Sequence, residues 1–275
     1  MVGGRAGNKS RLRYSDAEYF NLSEKDARVA NARREKAVPT VEQIQHVVGG
    51  MLSNSDIELR NRALIAFTLL TGARDSAIAS MKLKHVDMVG GSVFQDAREV
   101  RTKFSKTFST YFFPVGAEIH QIVADWIKYL REEKIWSHDD PLFPASNVVL
   151  DKNTHHFTVG GLKREYWSTA TPIRKIFAEA FTNAGLPYFN PHNFRTTLVR
   201  LGETVCQTPE AFKSWSQNLG HEKVLTTFCS YGEVSKQRKQ EILENLKSPE
   251  RLSQSDMDKL ANLVADRLRK FKMEV

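Results

Sequence analysis

Four short segments of the chain combine residue types that could act on a phosphate group. They are Thr71-Gly72-Ala73-Arg74, Pro191-His192-Asn193-Phe194-Arg195, Leu219-Gly220-His221, and Thr226-Thr227 followed by Tyr231. A guanidinium group stays charged at any working pH and binds two phosphate oxygens at once, so Arg74 and Arg195 are candidate phosphate ligands. Converging on one phosphorus atom, they would stabilise the negative charge that develops when its substituents exchange.

The other polar residues of the set could supply a nucleophile and proton transfer. His192 precedes Arg195 by three positions, so the two side chains share one helix face. A histidine can move a proton or donate to a phosphoryl oxygen. Tyr231 needs assistance to attack because a phenol has an unperturbed pKa of about 10. Lys103, at the end of a predicted strand, could protonate a leaving oxygen, and Lys106 on the same turn is the alternative.

Each of these residues alone is more often structural, and the order of the whole set carries the signal. That order resembles the tyrosine recombinase family, also called the phage integrases, over roughly residues 40–235. The family signature runs Arg, Lys, His-x-x-Arg, His or Trp, and Tyr, which would correspond here to Arg74, Lys103, His192, Arg195, His221 and Tyr231. Residues 71–74 look like the TGxR box of the family, and residues 219–227 look like its LGH…TT box.

The resemblance implies a fold, a reaction and a role for each residue. Tyr231 would attack the scissile phosphodiester, forming a 3′-phosphotyrosine and releasing a 5′-hydroxyl, and a 5′-hydroxyl of a partner strand would reverse the step. The implied roles of the others are phosphate binding by Arg74, Arg195 and His221, proton transfer by His192, and general acid catalysis by Lys103. The phosphotyrosine conserves the bond energy, so we expect no cofactor, neither ATP nor a metal ion.

Three features depart from the family pattern, and one of them is Asn193-Phe194 in the gap of the second box. The family commonly has an acidic residue three positions after the first arginine, where this chain has Ala77, while Asp75 would lie on another helical face. Tyr231 follows His221 by ten positions, whereas the usual spacing is nine. One extra residue rotates a helical side chain by roughly 100°, so we expect a bulge, bend or loop between 227 and 231.

The resemblance also implies partners, and it leaves two other functions open. We expect double-stranded DNA as substrate, a homotetramer on two duplexes and a monomer when free. The first alternative is relaxation of supercoiled DNA by a type IB topoisomerase-like monomer. The second is a catalytically silent DNA-binding module of the same fold, which Ala77 and the longer spacing favour.

Composition limits the class of protein. The 275 residues are 41% hydrophobic, which suffices for one sizeable core. Forty basic against 32 acidic residues give a net charge of +8, which suits a polyanionic partner. Only two cysteines are present, Cys206 and Cys229, which excludes a disulfide framework and fits a reduced cytoplasmic setting. No stretch approaches about eighteen apolar residues, so we expect no membrane partner.

These side chains must be positioned by the elements between them, and the pattern predicts a mainly α protein with a small antiparallel β-sheet. Helices are predicted from Thr40, over 56–71 with a stop at Gly72, over 74–82, through 119–130, from Thr171 to Gly185, and from Thr208 to Gly220. Strands are predicted at 86–89 and 92–94 around Gly90-Gly91, and at 100–103 and 110–115 around a turn at 104–107. Residues 138–168 show no clear pattern.

We predict three parts along the chain. Residues 1–37 form a polar leader or linker, residues 38–235 the catalytic domain, and residues 236–275 a C-terminal tail. The tail contains an amphipathic helix capped at Ser255, which could pack on a neighbouring subunit. Residues 1–37 are too few to form the helical core-binding domain that usually precedes the catalytic domain in the family.

Overall fold

The structure is a computed structural model that describes residues 37–150, 157–221 and Gln240. The chain divides into two compact units, Met1–Thr227 and Phe228–Val275, and every described residue except Gln240 belongs to the first. Most of the predicted leader and the predicted C-terminal helix lie outside the described residues. Within the described ranges, no helix is both long and apolar enough to span a membrane.

Helices make up most of the regular structure of the first unit, which confirms the predicted fold class. The described helices are α1 (Val41–Gly50), α2 (Asp56–Thr71), α3 (Asp75–Ile78), α4 (Ala117–Glu132), α5 (Thr171–Asn183), α6 (Pro191–Val205) and α7 (Pro209–Asn218). The described strands are β1 (Val86–Asp87), β2 (Ser92–Gln95), β3 (Phe108–Tyr111), β4 (Ala145–Leu150) and β5 (Phe157–Lys163). Strands β1, β2 and β3 form one antiparallel sheet in that order, and β4 and β5 form a second.

Helix α2 is the centre of the core. Residues 63–70 are all at most 2% exposed, as expected of a helix that is apolar on every side. Helices α1, α4 and α6 and strand β5 pack around it. Its start is fixed by a capping box, in which the Ser55 hydroxyl accepts from the Glu58 amide and the Glu58 carboxylate accepts from the Ser55 amide. The C-terminal end of α2, where the first motif begins, is therefore held inside the protein.

Gly72 ends α2 and turns the chain toward the site. Its backbone lies in the left-handed region, with φ 61° and ψ 18°, and its amide donates to the Thr68 carbonyl at 2.9 Å. A Cβ atom at this position would lie 2.8 Å from Cδ2 of Leu219. Glycine is therefore required both by the backbone conformation and by the close approach of the residue that follows α7.

The three-stranded sheet confirms the predicted hairpin at Gly90-Gly91, but the predicted strand at 100–103 is wrong. Strand β3 pairs directly with β2, with Val93 opposite Thr110. The intervening residues form a loop because the Asp96 carbonyl accepts from the amides of Glu99 and Val100 at 3.0 and 2.7 Å. Those two amides are thereby taken up in a local turn and are not available to a sheet.

Two other elements differ from the sequence prediction. The helix predicted over 74–82 is only the four-residue α3, because the following backbone pairs with a distant segment: Leu83 donates to the Asp140 carbonyl and Leu142 donates to the Met81 carbonyl. The segment without a clear pattern contains the antiparallel hairpin of β4 and β5. The first difference arises from pairing between residues that are far apart in the sequence, whereas the second is a pairing of neighbouring segments.

Helices α5 and α7 follow the predicted pattern, and α6 carries the second motif, whose spacing predicts one helix face for His192 and Arg195. The third motif follows α7. The apolar side chains of Ile173, Ile176, Phe177 and Phe181 on α5 are buried. Helix α6 begins at Pro191, with Asn190 as its N-cap. The indole of Trp215 on α7 donates to the Leu198 carbonyl on α6 at 2.8 Å, so the two helices are joined near the site.

Candidate active site

Arg195 connects three of the four motifs. It lies on the buried side of α6, where the residue is 3% exposed. Its Nη1 donates to the Gly72 carbonyl at 2.6 Å, and its Nη2 donates to the Leu219 carbonyl at 2.5 Å. These two carbonyl oxygens fix the orientation of the guanidinium group.

His221 lies against the same guanidinium group and is 8% exposed. Its Nε2 is 3.1 Å from Nη2 of Arg195. Because a guanidinium nitrogen can only donate, Nε2 must be the unprotonated nitrogen, and the proton of the neutral ring is on Nδ1. Burial, followed by the charges of Arg195 and Arg74, lowers the pKa of His221 to about 4. The imidazole is therefore neutral at neutral pH.

Arg74 follows the turn at Gly72 and is half-buried at the start of α3. It borders a cavity of about 330 Å³. The residues that line this cavity are Arg74, Asp75, Arg174, Tyr188, Asn190, Pro191, His192 and Arg195. Both signature arginines and the first signature histidine thus face one cavity, although 121 positions separate Arg74 from Arg195 (195 − 74).

His192 lies one helical turn before Arg195, as the spacing predicts. The residue is exposed where it borders the cavity. Its pKa is lowered, first by partial loss of hydration and then by the positive charges of Arg195, Arg74 and Lys103, while the carboxylate of Asp75 opposes the change. A neutral imidazole can accept a proton, which suits a group placed beside an incoming hydroxyl.

Lys103 belongs to a 3₁₀ turn, Lys103–Ser105, and not to the end of a strand as predicted. The residue is exposed, and its charge contributes to the lowered pKa of both His192 and His221. Phe104 separates it from Lys106: the two Nζ atoms lie 4.8 and 5.8 Å from the centre of the Phe104 ring. Lys103 is thus close enough to the imidazoles to act on them electrostatically.

The position three residues after Arg74, which is commonly acidic in the family, is Ala77 in this chain. Ala77 is 1% exposed and packs in the core. The nearby carboxylate of Asp75 instead accepts from Nε of Arg174 at 2.8 Å and from the Ser76 amide at 2.8 Å. The acid of this chain is therefore paired with a cation on α5.

Sequence reasoning missed three residues that line the cavity, Arg174, Tyr188 and Asn190. Asn190 could have been found, because an asparagine before a proline at the first helical position is an N-cap signal. Arg174 and Tyr188 have no such local signal. Tyr231, Thr226 and Thr227 lie outside the described residues.

The comparisons with known proteins agree with this arrangement of motifs. The family model of the phage integrase family matches residues 37–238, which is more than half of the chain. The chain belongs to the phage integrase family. A tyrosine recombinase XerC of Halalkalibacterium halodurans is 25% identical over 206 residues, and one of Lactobacillus leichmannii is 24% identical over 187 residues. These matches cover 73% and 68% of this phage integrase family member, but only 59% and 55% of the two relatives.

Solved structures show the same fold as this family member. The XerA recombinase superposes with a TM-score of 0.54 at 17% identity, over 78% of this chain and 66% of that one. A lambda integrase dimer bound to a COC′ core site gives a TM-score of 0.52 at 14% identity, over 77% and 65% of the two chains. The Tn1549 transposon integrase in complex with circular intermediate DNA gives 0.51 at 17% identity, over 82% and 72%.

Proposed function

We propose that this chain cleaves and rejoins DNA at specific sites through a 3′-phosphotyrosine intermediate formed on Tyr231. The proposal is carried by two hydrogen bonds of Arg195. From the second motif, its guanidinium group donates to the Gly72 carbonyl of the first motif and to the Leu219 carbonyl of the third. Membership of the phage integrase family supports the same reaction class. Because the chain spans less than two thirds of the curated relatives it matches, its activity is inferred from its own residues together with that membership.

Phosphate recognition follows from the charges around the cavity. Arg74 and Arg195 would bind the non-bridging oxygens of the scissile phosphate through charge-assisted N–H hydrogen bonds. As Tyr231 attacks, the phosphorus becomes five-coordinate and its oxygens gain negative charge. Donors already fixed by the protein stabilise that charge without reorganising, and the buried, carbonyl-held group of Arg195 meets this requirement.

Two proton transfers accompany the exchange of the 5′ oxygen for the phenol oxygen on phosphorus. The phenol oxygen of Tyr231 bonds to phosphorus as its proton passes to a base, for which the neutral His192 is suited. The bond from phosphorus to the 5′ oxygen breaks, and that oxygen takes a proton from Lys103. His221, neutral at neutral pH, would donate a hydrogen bond to a phosphoryl oxygen and not a positive charge. The reverse sequence, with a 5′-hydroxyl of another strand, rejoins the DNA.

Double-stranded DNA is the proposed partner, and a homotetramer on two duplexes the proposed assembly. The net charge of +8 and the DNA-bound structures of the lambda and Tn1549 integrases support a DNA substrate. We further propose that residues 38–235 act as the catalytic domain. The segment 236–275 would then be available to pack on a neighbouring subunit within the assembly.

The nucleophile can be tested with a matched pair of tyrosine variants. Tyr231→Phe should abolish covalent attachment to a DNA duplex carrying a nick beside the cleavage site, since a nicked strand traps the protein–DNA adduct. Tyr188→Phe removes the hydroxyl of a tyrosine that lines the cavity and should retain the adduct. Gel mobility under denaturing conditions measures both. An adduct that survives in Tyr231→Phe and disappears in Tyr188→Phe would transfer the role to Tyr188, and no adduct in any form would indicate a silent DNA-binding module.

The same assay separates the two lysines. Lys103→Ala should slow adduct formation by about 10²–10⁴-fold, the usual contribution of a general acid, whereas Lys106→Ala should retain most of the rate. A substrate with sulfur in place of the bridging 5′ oxygen needs no proton to leave, so it should restore the rate of Lys103→Ala. If Lys103→Ala remains slow on this substrate, Lys103 has a role other than general acid.

A further inference from the structure

A third guanidinium group borders the cavity, outside the set of residues that the family signature identifies. Arg174 lies in the first turns of α5 and lines the cavity together with Arg74 and Arg195. Its side chain is 58% exposed, whereas Arg195 is buried. The cavity thus has a buried cation in its wall and an exposed cation at its rim.

Among the described residues, one ion pair holds the Arg174 side chain in place. Its Nε donates to Oδ2 of Asp75 at 2.8 Å, and the side chain of Asp75 is itself only 20% exposed. The pair raises the pKa of Arg174, which therefore remains charged. Asp75 is also fixed by the Ser76 amide at 2.8 Å, so the carboxylate and the guanidinium group share a defined geometry.

Most of the hydrogen-bonding capacity of Arg174 remains available. A guanidinium group offers five N–H donors, and this pair uses one of them. In the part of the chain that the structure describes, Asp75 is the hydrogen-bond partner of this side chain. The terminal Nη groups, which form the fork that recognises phosphate oxygens, are thus left to a ligand.

Electrostatics around the cavity favour an anion at this rim. Of the described residues that line the cavity, three carry a guanidinium group and one carries a carboxylate. Tyr188 borders the same cavity close enough for the charges of Arg174 and Asp75 to affect its pKa, and its hydroxyl is a further neutral donor. An exposed ion pair of this kind contributes little to stability.

We propose that Arg174 binds a DNA backbone phosphate at the rim of the cavity, next to the scissile phosphate held by Arg74 and Arg195. The inference depends on the proposed function, because it assumes that DNA enters this cavity. If so, α5 supplies one cation of the site, and Asp75 positions that cation. The position that is commonly acidic in the family is Ala77 in this chain.

The contribution of Arg174 can be measured as a salt dependence. In a Tyr231→Phe background, which prevents cleavage, binding to a mixed-sequence duplex of about 30 base pairs is titrated over a range of salt concentrations. Each phosphate contact adds about 0.9 to the slope of log affinity against log salt. Arg174→Gln should lower the slope by about that amount and weaken binding about five- to tenfold at ~0.1 M salt. Arg174→Lys, which keeps the charge, should retain the slope.

The neighbouring Lys175 provides the matched control. Its side chain is 78% exposed and lies 3.7 Å from Glu179 on the same helix. Lys175→Gln removes an equal charge one position away and should leave the slope unchanged, with unfolding midpoints showing that all variants are folded. Equal slopes for Arg174→Gln and its parent, or an equal decrease for Lys175→Gln, would overturn the inference while DNA binding persists. Failure of every form to bind the duplex would instead overturn the proposed function, and this inference with it.

Discussion

Two buried arginines of this protein have the same chemistry and different surroundings. Arg60 on α2 is 2% exposed and Arg195 on α6 is 3% exposed. Each donates to a backbone carbonyl: Arg60 to Pro144 at 2.7 Å, and Arg195 to Gly72 at 2.6 Å. Burial and a carbonyl partner are therefore insufficient to distinguish a structural arginine from the proposed phosphate ligand.

The difference lies in what covers the rest of each guanidinium group. Trp167 lies over that of Arg60, with its ring centre 4.9 Å away, and the side chains of Asn61 and Ser146 accept its other hydrogen bonds. Burial lowers the pKa of Arg60 to about 10. Arg195 instead faces a neutral imidazole and a cavity. We infer that Arg60 fixes the start of β4 to α2, whereas the charge of Arg195 serves a ligand.

The largest expected effect is that of Arg195→Lys. A lysine keeps the charge but loses the planar fork and the two carbonyl contacts, so the rate of adduct formation on the nicked duplex should fall about 10²–10³-fold. DNA affinity should change far less, because the charge is retained. Quenched-flow or manual time courses of the adduct measure the rate. A rate within fivefold of the wild type would contradict a catalytic role of the Arg195 guanidinium group.

The converse effect is expected for Arg60→Met. Methionine keeps much of the side-chain volume and removes the donors, leaving the Pro144 carbonyl and its neighbours without them, at a cost of about 3 kcal/mol in the free energy of unfolding. Urea denaturation measures this loss. The rate of adduct formation by the folded variant should stay within about threefold of the wild type. A rate that falls as steeply as for Arg195→Lys would make the two arginines equivalent.

A smaller effect concerns pH and sharpens the role of the imidazole beside Arg195. With a pKa of about 4 in the folded protein and about 6.5 in the unfolded chain, His221 binds more proton in the unfolded state between these values. Its contribution should lower the free energy of unfolding by about 2 kcal/mol between pH 7 and pH 5. In His221→Gln that part of the pH dependence should vanish. Identical pH dependence of the two proteins would contradict a neutral, buried imidazole.

The part of the site that could be predicted depends on local geometry. The spacing of His192 and Arg195 places both on one face of α6, and Gly72 ends α2 in the expected left-handed conformation. Arg174 could not be predicted, because its relation to the motifs is created only when α5 packs against α6, where the rings of Phe177 and Phe194 lie 5.0 Å apart. The loop after Asp96 was mistaken for a strand since its sequence carries no sign that a carbonyl would capture the following amides.

The amino-acid sequence by itself determined the helices α1, α2, α4, α5 and α7 and the order of the chemical groups, because periodicity and capping act between residues a few positions apart. Only the tertiary structure decided that Trp167 covers Arg60 while Arg195 lines a cavity. It also decided which nitrogen of His221 is unprotonated and that Asp75 pairs with Arg174. Those features arise from contacts across long separations, such as the 123 positions between Arg195 and Gly72, where burial and neighbouring charge are set by packing.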